Sequence, residues 1–270
     1  MRSEKCCNLL PLTIHLSPFT SHHFMNKCAE GIYIVGRYGN PLCATWLFEN
    51  NGECAIVEMP PFFKRKGRPI EIIKETIHKK GLKGPKYILS SHAHIDHTYS
   101  IFHYKKAFPG AKLIGHSSFL NDYFIKSFFY MYWTKNKRIY GQDIANKMGL
   151  FDEVFTTDLY QLILGKEPLY LIYAPKHSYE DIMIVFKGAM ITGDWAIGPY
   201  PDCNDIVSSH DKIQSIDKLI YILREKNYKV HMLFSAHGDN LIYNVDFEAV
   251  MKETRDFCAR INNTHHDYQW

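Results

Sequence analysis

Residues 86–98 read Lys86-Tyr-Ile-Leu-Ser-Ser-His92-Ala-His94-Ile-Asp96-His97-Thr98, an apolar run followed at once by three histidines and an aspartate. The apolar run predicts a buried β-strand, so these polar side chains follow a strand end. Imidazole nitrogens and carboxylate oxygens are donors that a divalent ion such as zinc prefers. A lone histidine is usually a hydrogen-bonded structural residue, but a cluster packed without a cation would bury polar groups that need partners. The spacing therefore predicts a metal site.

The pattern His-x-His-x-Asp-His after a strand resembles the signature motif of the metallo-β-lactamase superfamily. Three later segments resemble further motifs of that family and occur in the family's order: Ala174-Pro-Lys-His177-Ser178, Ile191-Thr-Gly-Asp194 and Phe234-Ser-Ala-His237-Gly238. Each of them follows an apolar run, so all are expected to project from strand ends. The resemblance covers roughly residues 30 to 240.

The resemblance implies an α/β (α+β) fold, the four-layer αβ/βα sandwich, with a site for two divalent metal ions. Zinc is the first expectation for both ions, with iron and manganese as alternatives, because histidine and carboxylate ligands suit all three. The expected ligands are His92, His94 and His177 for one ion, Asp96, His97 and His237 for the other, and Asp194 as the bridge between them.

Two divalent ions sharing a bridging hydroxide imply hydrolysis. Asp96 is the expected catalytic residue, because it would orient the hydroxide and pass a proton to the leaving group. Ser90, Ser91, Thr98 and Ser178 are near enough in sequence to hold the imidazoles in place.

One position departs from the family's pattern. The loop that is typically Pro-Gly-His is here Pro175-Lys176-His177. The substitution removes no ligand. It either places an ammonium group near the pocket or directs Lys176 to solvent, and the sequence leaves these alternatives open.

The substrate is less well defined by the sequence. Relatives of this architecture cleave β-lactams, thioesters, lactones and phosphodiesters, and the fold alone does not select among them. We expect cleavage of a small ester, lactone, thioester or phosphodiester. The candidate pocket residues are those close in sequence to inferred ligands or at a neighbouring strand end: His116, Lys176, Tyr179, Trp195, Tyr200 and Asp202.

Two of the predicted ligands disfavour particular classes of enzyme. Asp194 disfavours a true β-lactamase, since the lactamase branches usually lack an acidic residue there, and His94 disfavours the flavodiiron oxidoreductases, which typically carry a glutamate. The alternative from another class is a non-catalytic metal-binding or sensor protein that keeps the same fold. The complete ligand set and the intact Asp96 count against it.

The composition is that of an ordinary globular protein of 270 residues, 46% hydrophobic and 22% charged, with a formal net charge of +4. No long run of like charges makes a nucleic-acid partner evident, and no apolar window reaches the ~18 residues that span a bilayer. The seven scattered cysteines include no Cys-x-x-Cys pair, which fits reduced thiols. We expect a soluble, cytoplasmic protein without a membrane partner that acts on a small molecule, and a homodimer is left open.

The chain is expected to hold an N-terminal extension over 1–28, a hydrolase domain over 29–262 and a tail over 263–270. Residues near 117–160, rich in aromatics, are interpreted as a helical insertion that forms either a lid or a packed face. Strands are predicted at 31–35, 43–48, 53–57, 86–89, 112–114, 168–173, 181–186, 189–192 and 229–234, and helices at 70–79, from 97 to before Pro109, at 211–226 and at 246–260.

Overall fold

The apolar runs of the sequence form strands in two β-sheets, and helices pack against them. The structure is a computed structural model, and it describes residues 25–62, 68–120, 151–202, 206–237 and 241–264.

The first sheet has seven strands that neighbour one another in sequence order. The first four pair antiparallel as a meander, and the last three join in parallel. Asn51 and Gly52, with φ of 46° and 79°, form the two-residue turn between the third and fourth strands. The strands are β1 (Asn26–Ala29), β2 (Ile32–Tyr38), β3 (Cys43–Asn50), β4 (Glu53–Val57), β5 (Pro85–Leu89), β6 (Lys112–His116) and β7 (Glu153–Phe155).

The second sheet has six strands in the order β13-β12-β11-β10-β9-β8. Its pairs are antiparallel except for β11 with β12, which run parallel. The strands are β8 (Leu159–Leu164), β9 (Glu167–Tyr173), β10 (Ile182–Phe186), β11 (Ala189–Gly193), β12 (Met232–Ser235) and β13 (Leu241–Tyr243).

The helices begin and end at residues suited to those positions. The first has Pro69 in its first turn, where a missing N–H costs nothing, and ends at Gly81 in the left-handed conformation. The fourth is capped by Ser208, whose hydroxyl accepts from the amide of Asp211. The helices are α1 (Pro69–Lys80), α2 (Ile95–Thr98), α3 (Ile101–Ala107), α4 (Ser209–Glu225) and α5 (Phe247–Thr264), with a 3₁₀ turn at Ser117–Leu120.

The second sheet is buried on both faces. In β10, Ile182, Ile184 and Phe186 belong to the core between the sheets, whereas Met183 and Val185 belong to the core beneath α4 and α5. This alternation follows from the two-residue period of a strand. It explains why β10 reads as a continuous apolar run rather than an alternating one.

Aromatic pairs join the two sheets across the central core. The rings of Phe48 and Phe186 stack with centroids 5.1 Å apart, and those of Trp46 and Phe234 with centroids 5.5 Å apart. On the other side of the first sheet, α1 packs against β2. Helices therefore lie outside two facing sheets, and the predicted α/β sandwich is confirmed.

Three predicted boundaries need correction. Residues 26–28, predicted as extension, are part of β1, which pairs with β2. Residues 153–155, predicted as part of a helical insertion, form a strand that pairs in parallel with β6, and β8 begins at Leu159. Residues 263–264, predicted as tail, continue α5. These errors arise because short edge elements carry too little pattern to be recognised from sequence.

Several predicted segments lie outside the described residues. They are residues 1–24 of the extension, residues 121–150 of the aromatic insertion and residues 265–270 of the tail. None of the helices in the described ranges combines the length and apolar character needed to cross a membrane.

The packing between the sheets predicts the effect of Phe48→Ala. Phe48 is fully buried against Phe186, so its truncation removes apolar contacts and leaves a cavity. We expect a loss of about 3–5 kcal/mol in the free energy of unfolding, measured by urea denaturation. The control Tyr221→Ala removes a ring that is 63% exposed and should change the same free energy by less than ~0.5 kcal/mol. Equal losses in the two variants would contradict the assigned core.

Candidate metal centre

The predicted ligands lie at the ends of strands from both sheets. The loop with His92 follows β5, the loop with His177 follows β9, and Asp194 and His237 follow the parallel strands β11 and β12. Backbone hydrogen bonds hold the loops together: Ile182 N donates to Ser91 O over 2.6 Å. The sandwich thus brings residues that are distant in sequence to one edge.

Three imidazoles form the first group of potential ligands. His92, His94 and His177 each offer one nitrogen, and these atoms all lie within 4.8 Å of one another. Nδ1 of His94 is 3.2 Å from Nε2 of His177. His94 stands at the N-terminal end of α2, which places its side chain beside the loop from the second sheet.

The second group consists of Asp96, His97, Asp194 and His237, whose donor atoms also lie within 4.8 Å of one another. Nε2 of His237 is 3.1 Å from Oδ2 of Asp96 and 3.2 Å from Nε2 of His97. The structure therefore brings together all seven residues predicted as ligands, as two groups.

Asp194 lies between the two groups. Its Oδ2 is 3.9 Å from Nε2 of His92 and 3.7 Å from Nε2 of His177, both in the first group. Its Oδ1 is 3.1 Å from Nε2 of His97 and 3.3 Å from Nε2 of His237, both in the second group. One carboxylate thus directs one oxygen toward each group.

The surroundings of two atoms in the cluster favour metal coordination over a purely structural hydrogen-bonding role. His92 Nε2 is buried and makes no hydrogen bond within the described part of the chain, and buried Asp194 Oδ1 has the imidazole nitrogens of His97 and His237 within 3.3 Å, outside good hydrogen-bond geometry. A buried polar atom without a partner is costly, and a cation in reach of its lone pair would remove that cost. The donor set, nitrogen and carboxylate oxygen, suits zinc, iron or manganese.

The ionisation of the first group favours metal binding. Burial lowers the pKa of His92 well below its usual value, with the charge of His97 adding to the effect. Burial likewise lowers the pKa of His94, and it lowers that of His177 to about 4. All three imidazoles are therefore neutral near pH 7, and a neutral imidazole has the lone pair that a metal requires.

The second group is more strongly charged. Burial raises the pKa of Asp194, but the imidazoles of His237 and His97 lower it far more, so the carboxylate stays ionised. Burial lowers the pKa of His237, but Asp194 and Asp96 outweigh burial and raise it to about 10. A concentrated negative charge beside imidazoles is the electrostatic setting of a cation site.

The imidazoles are oriented by partners behind them. Nδ1 of His237 is 2.8 Å from the carbonyl of Leu42, and Nδ1 of His92 is 3.1 Å from Oγ of Ser91. Each contact turns the opposite nitrogen, Nε2, toward Asp194. Such outer contacts fix ring orientation and tautomer.

The sequence analysis did not identify Glu58, which orients His97. This carboxylate is fully buried at the end of β4; its Oε2 accepts from Ser90 Oγ over 2.9 Å and lies 3.4 Å from Nδ1 of His97. The thiol of Cys43 lies 3.6 Å from the same nitrogen. Glu58 has φ of +66°, a strained value for a residue with a Cβ, as is common at functional sites. In the sequence, the feature that could have indicated this role is a charged residue directly after the apolar run Cys54–Val57.

Asp181, also missed, holds the loop that carries His177. It is buried, and its Oδ2 accepts from the backbone amides of Lys176, His177 and Ser178 over 2.9, 2.7 and 2.9 Å. Burial raises the pKa of Asp181 to about 6, while these amides and the Ser178 hydroxyl act to lower it. No pattern in the sequence distinguishes this aspartate from a turn residue.

The hydroxyls expected to support the site do so in different ways. Ser91 contacts His92 directly, and the other three act on the loops: Ser90 donates to Glu58, Thr98 donates to the carbonyl of His94, and Ser178 donates to Asp181.

Three of the predicted pocket residues have buried side chains and need correction. Lys176 is 0% exposed, and its ammonium group donates to Asp202 Oδ1, so the alternative that it points to solvent is wrong. The side chain of Asp202 is itself only 2% exposed. Trp195 is 3% exposed, and its indole N–H donates to Asp181. All three side chains are enclosed by polar partners rather than lining an open pocket.

The other pocket candidates make contacts away from the seven potential ligands. His116 stacks on Tyr173 with ring centroids 3.9 Å apart and contacts Ser118, which fits the structural interpretation of a lone histidine. The hydroxyl of Tyr179 lies 3.4 Å from Asp211 of α4. Tyr200 is 64% exposed and borders a cavity that is also lined by residues of α4 and α5.

The role of Glu58 predicts the effect of Glu58→Gln. The amide would donate to Nδ1 of His97, so the neutral imidazole would carry its proton on Nε2 and offer no lone pair to a metal ion beside Asp194. We expect metal affinity, measured by competition with a chelating dye, to fall about 10–100-fold. The control Glu75→Gln alters an exposed carboxylate on α1 and should leave affinity unchanged. An unchanged affinity in Glu58→Gln would show that Glu58 does not orient His97.

Comparisons with known proteins agree with this fold. A family model described as the metallo-β-lactamase superfamily matches residues 40–194. No match was found among curated proteins.

Three solved structures illustrate the likeness. The DIM-1 metallo-β-lactamase exposed to ceftazidime superposes with a TM-score of 0.59 at 14% identity, over 88% of this chain and 96% of that one. An archaeal metallo-β-lactamase superfamily protein from Sulfolobus tokodaii gives 0.55 at 16% identity, over 84% and 85%. A metallo-β-lactamase family protein from Thermus thermophilus gives 0.57 at 14% identity, over 89% and 81%. At these identities the solved structures show a likeness of fold alone. The family model matches more than half of the sequence, and the chain therefore belongs to the metallo-β-lactamase superfamily.

Proposed function

We propose that this chain is a hydrolase with two divalent metal ions. The observation that carries the proposal is the position of Asp194, whose two oxygens face separate groups of imidazoles. The first ion would be held by His92, His94 and His177, the second by Asp96, His97 and His237, and both by Asp194.

Bound divalent ions supply two kinds of chemistry, polarisation of a carbonyl or phosphoryl oxygen and a water molecule that ionises near neutral pH. Zinc is the first candidate, and iron and manganese suit the same ligands. The protein supplies rigid donors, because His92, His94 and His177 are neutral imidazoles and Asp194 is an ionised carboxylate. In the second group, His97 and His237 would give up the protons that the neighbouring carboxylates favour on them when a divalent ion binds.

Asp96 is the carboxylate suited to move a proton. Its side chain is 19% exposed, whereas His92 and His97 are fully buried, so it lies toward the open side of the cluster. Burial raises the pKa of Asp96, but His237 and His97 lower it more, so the carboxylate is ionised and can accept a proton. In the proposed reaction it takes a proton from the attacking water and returns it to the leaving group.

The proposed substrate is a small ester, lactone, thioester or phosphodiester. These classes are the ones that the resemblance to the family implies, and the low net charge of +4 gives no reason to invoke a nucleic acid. A screen of chromogenic compounds of these four classes, with metal analysis of the same sample, tests the proposal. Activity that is lost on chelation and restored by zinc, iron or manganese supports it, and two bound ions without turnover of any class would favour the sensor alternative.

The two roles of Asp96 are separated by Asp96→Asn. The amide keeps an oxygen donor of nearly the same size but does not accept a proton as a carboxylate does. With at least one ion retained, we expect kcat to fall about 10²–10⁴-fold, as for loss of a general acid-base group. Activity is measured with the substrate found by the screen, and metal content by elemental analysis.

The control is Asp217→Asn, which alters an aspartate that is paired with Arg255 and 50% exposed. It should retain both metal and activity. If Asp96→Asn loses metal and activity in parallel, Asp96 is chiefly a ligand. If neither changes, the active site has been placed wrongly.

A further inference from the structure

A buried ion pair connects the loop of His177 with the loop that follows Asp194. The side chains of Lys176 and Asp202 are 0% and 2% exposed, and Lys176 Nζ lies 2.6 Å from Asp202 Oδ1. Lys176 directly precedes His177, and Asp202 lies at the end of the segment that begins at Asp194. The pair thus spans two loops that both carry potential metal ligands.

The same pair encloses the backbone next to Asp194. Lys176 Nζ donates to the carbonyl of Ala196 over 2.7 Å, and the amide of Ala196 donates to Asp202 Oδ1 over 3.0 Å. Both polar groups of this one residue, two positions after Asp194, are therefore held by the two members of the ion pair.

Trp195 adds further contacts between the same two loops. Lys176 Nζ lies 5.5 Å from the centroid of the Trp195 ring, a cation–π distance. The indole N–H donates over 3.0 Å to Asp181 Oδ2, the oxygen that also accepts from the amides of Lys176 and His177. Lys176 and Asp181 thus connect the two loops by separate routes.

We propose that Lys176 is a positioning residue that sets the distance between His177 and Asp194. The inference rests on the proposed function, since these residues would be a ligand and the bridge of the same ion. A buried ammonium group persists only when its partners fix it, so its two polar contacts and its contact with the Trp195 ring constrain the loops more than an exposed lysine does. Lys176 thus supplies a side-chain connection between the two loops.

A second lysine provides a matched control. Lys212 of α4 lies with its Nζ 3.3 Å from Asp202 Oδ2, and its side chain is 8% exposed. Lys176→Met and Lys212→Met each remove one ammonium group from the same carboxylate and leave the other in place. Only Lys176 belongs to the loop of His177, so only its replacement should affect the metal site.

The experiment titrates each purified, folded protein with Co²⁺ and with Zn²⁺. Affinity is read by competition with a chelating dye, and ligand geometry by the visible spectrum of bound Co²⁺. The wild type should bind two ions. In Lys176→Met, the affinity for one of the two should fall at least about tenfold, with a changed Co²⁺ spectrum, as expected when support behind a ligand is lost. Lys212→Met should match the wild type in both readouts.

The outcomes separate the inference from the proposed function. A wild type that binds no ion overturns both. A wild type with two ions and a Lys176→Met variant of equal affinity and spectrum overturns only the inference, and so do equal losses in the two lysine variants, since these would reflect general packing. Should Lys176→Met fail to fold, Lys176→Gln and Lys212→Gln decide. Each keeps a polar side chain but removes the ammonium group, so weaker binding of one ion in Lys176→Gln alone supports the inference, and wild-type affinity in Lys176→Gln or equal losses in both variants overturn it.

Discussion

The burial of Asp194 among four imidazoles is the constraint on which the structure depends. A carboxylate enclosed in this way is stable only if positive charge or hydrogen-bond donors compensate for lost water. Its Oδ1 lies 3.1 Å from Nε2 of His97, and its Oδ2 lies 3.7 Å from Nε2 of His177, so each oxygen meets a nitrogen from a different loop. The loops must therefore converge closely, and the buried partners behind them serve that requirement.

The arrangement of the two sheets brings these loops together. In each sheet, strands that run in parallel end at one edge, and the aromatic stacking of Phe48 on Phe186 fixes the sheets against each other. Buried carboxylates then hold the loops: Glu58 behind His97 and Asp181 beneath the backbone of residues 176–178. Because these groups sit on rigid elements, they fix the positions of the potential ligands, which lowers the cost of assembling a site.

The central strands could be predicted because they depend on local apolar patterns, and the convergence of the seven residues was implied by the resemblance to the family's motifs, each of which follows an apolar run. The apolar run before His92 predicts a strand. The residues from His92 to His97 lie in the short segment between this strand and the single helical turn α2, so their side chains start from neighbouring positions. Other features depend on contacts distant in sequence. Glu58 meets His97 only through the pairing of β4 with β5, and the position of Lys176 depends on Asp202, a partner 26 residues away. The short strand β7 was missed because its three residues show no usable period.

Crystallographic analysis of the zinc-loaded protein, with anomalous scattering recorded at the zinc edge, tests the central claim most directly. Two anomalous peaks are expected about 3.5–4 Å apart, one on each side of Asp194. Each peak should lie about 2.0–2.2 Å from a different carboxylate oxygen of Asp194, the usual Zn–O distance. A single peak, or two peaks of which neither lies within that distance of Asp194, would contradict the assignment of this aspartate as the bridge between two ions.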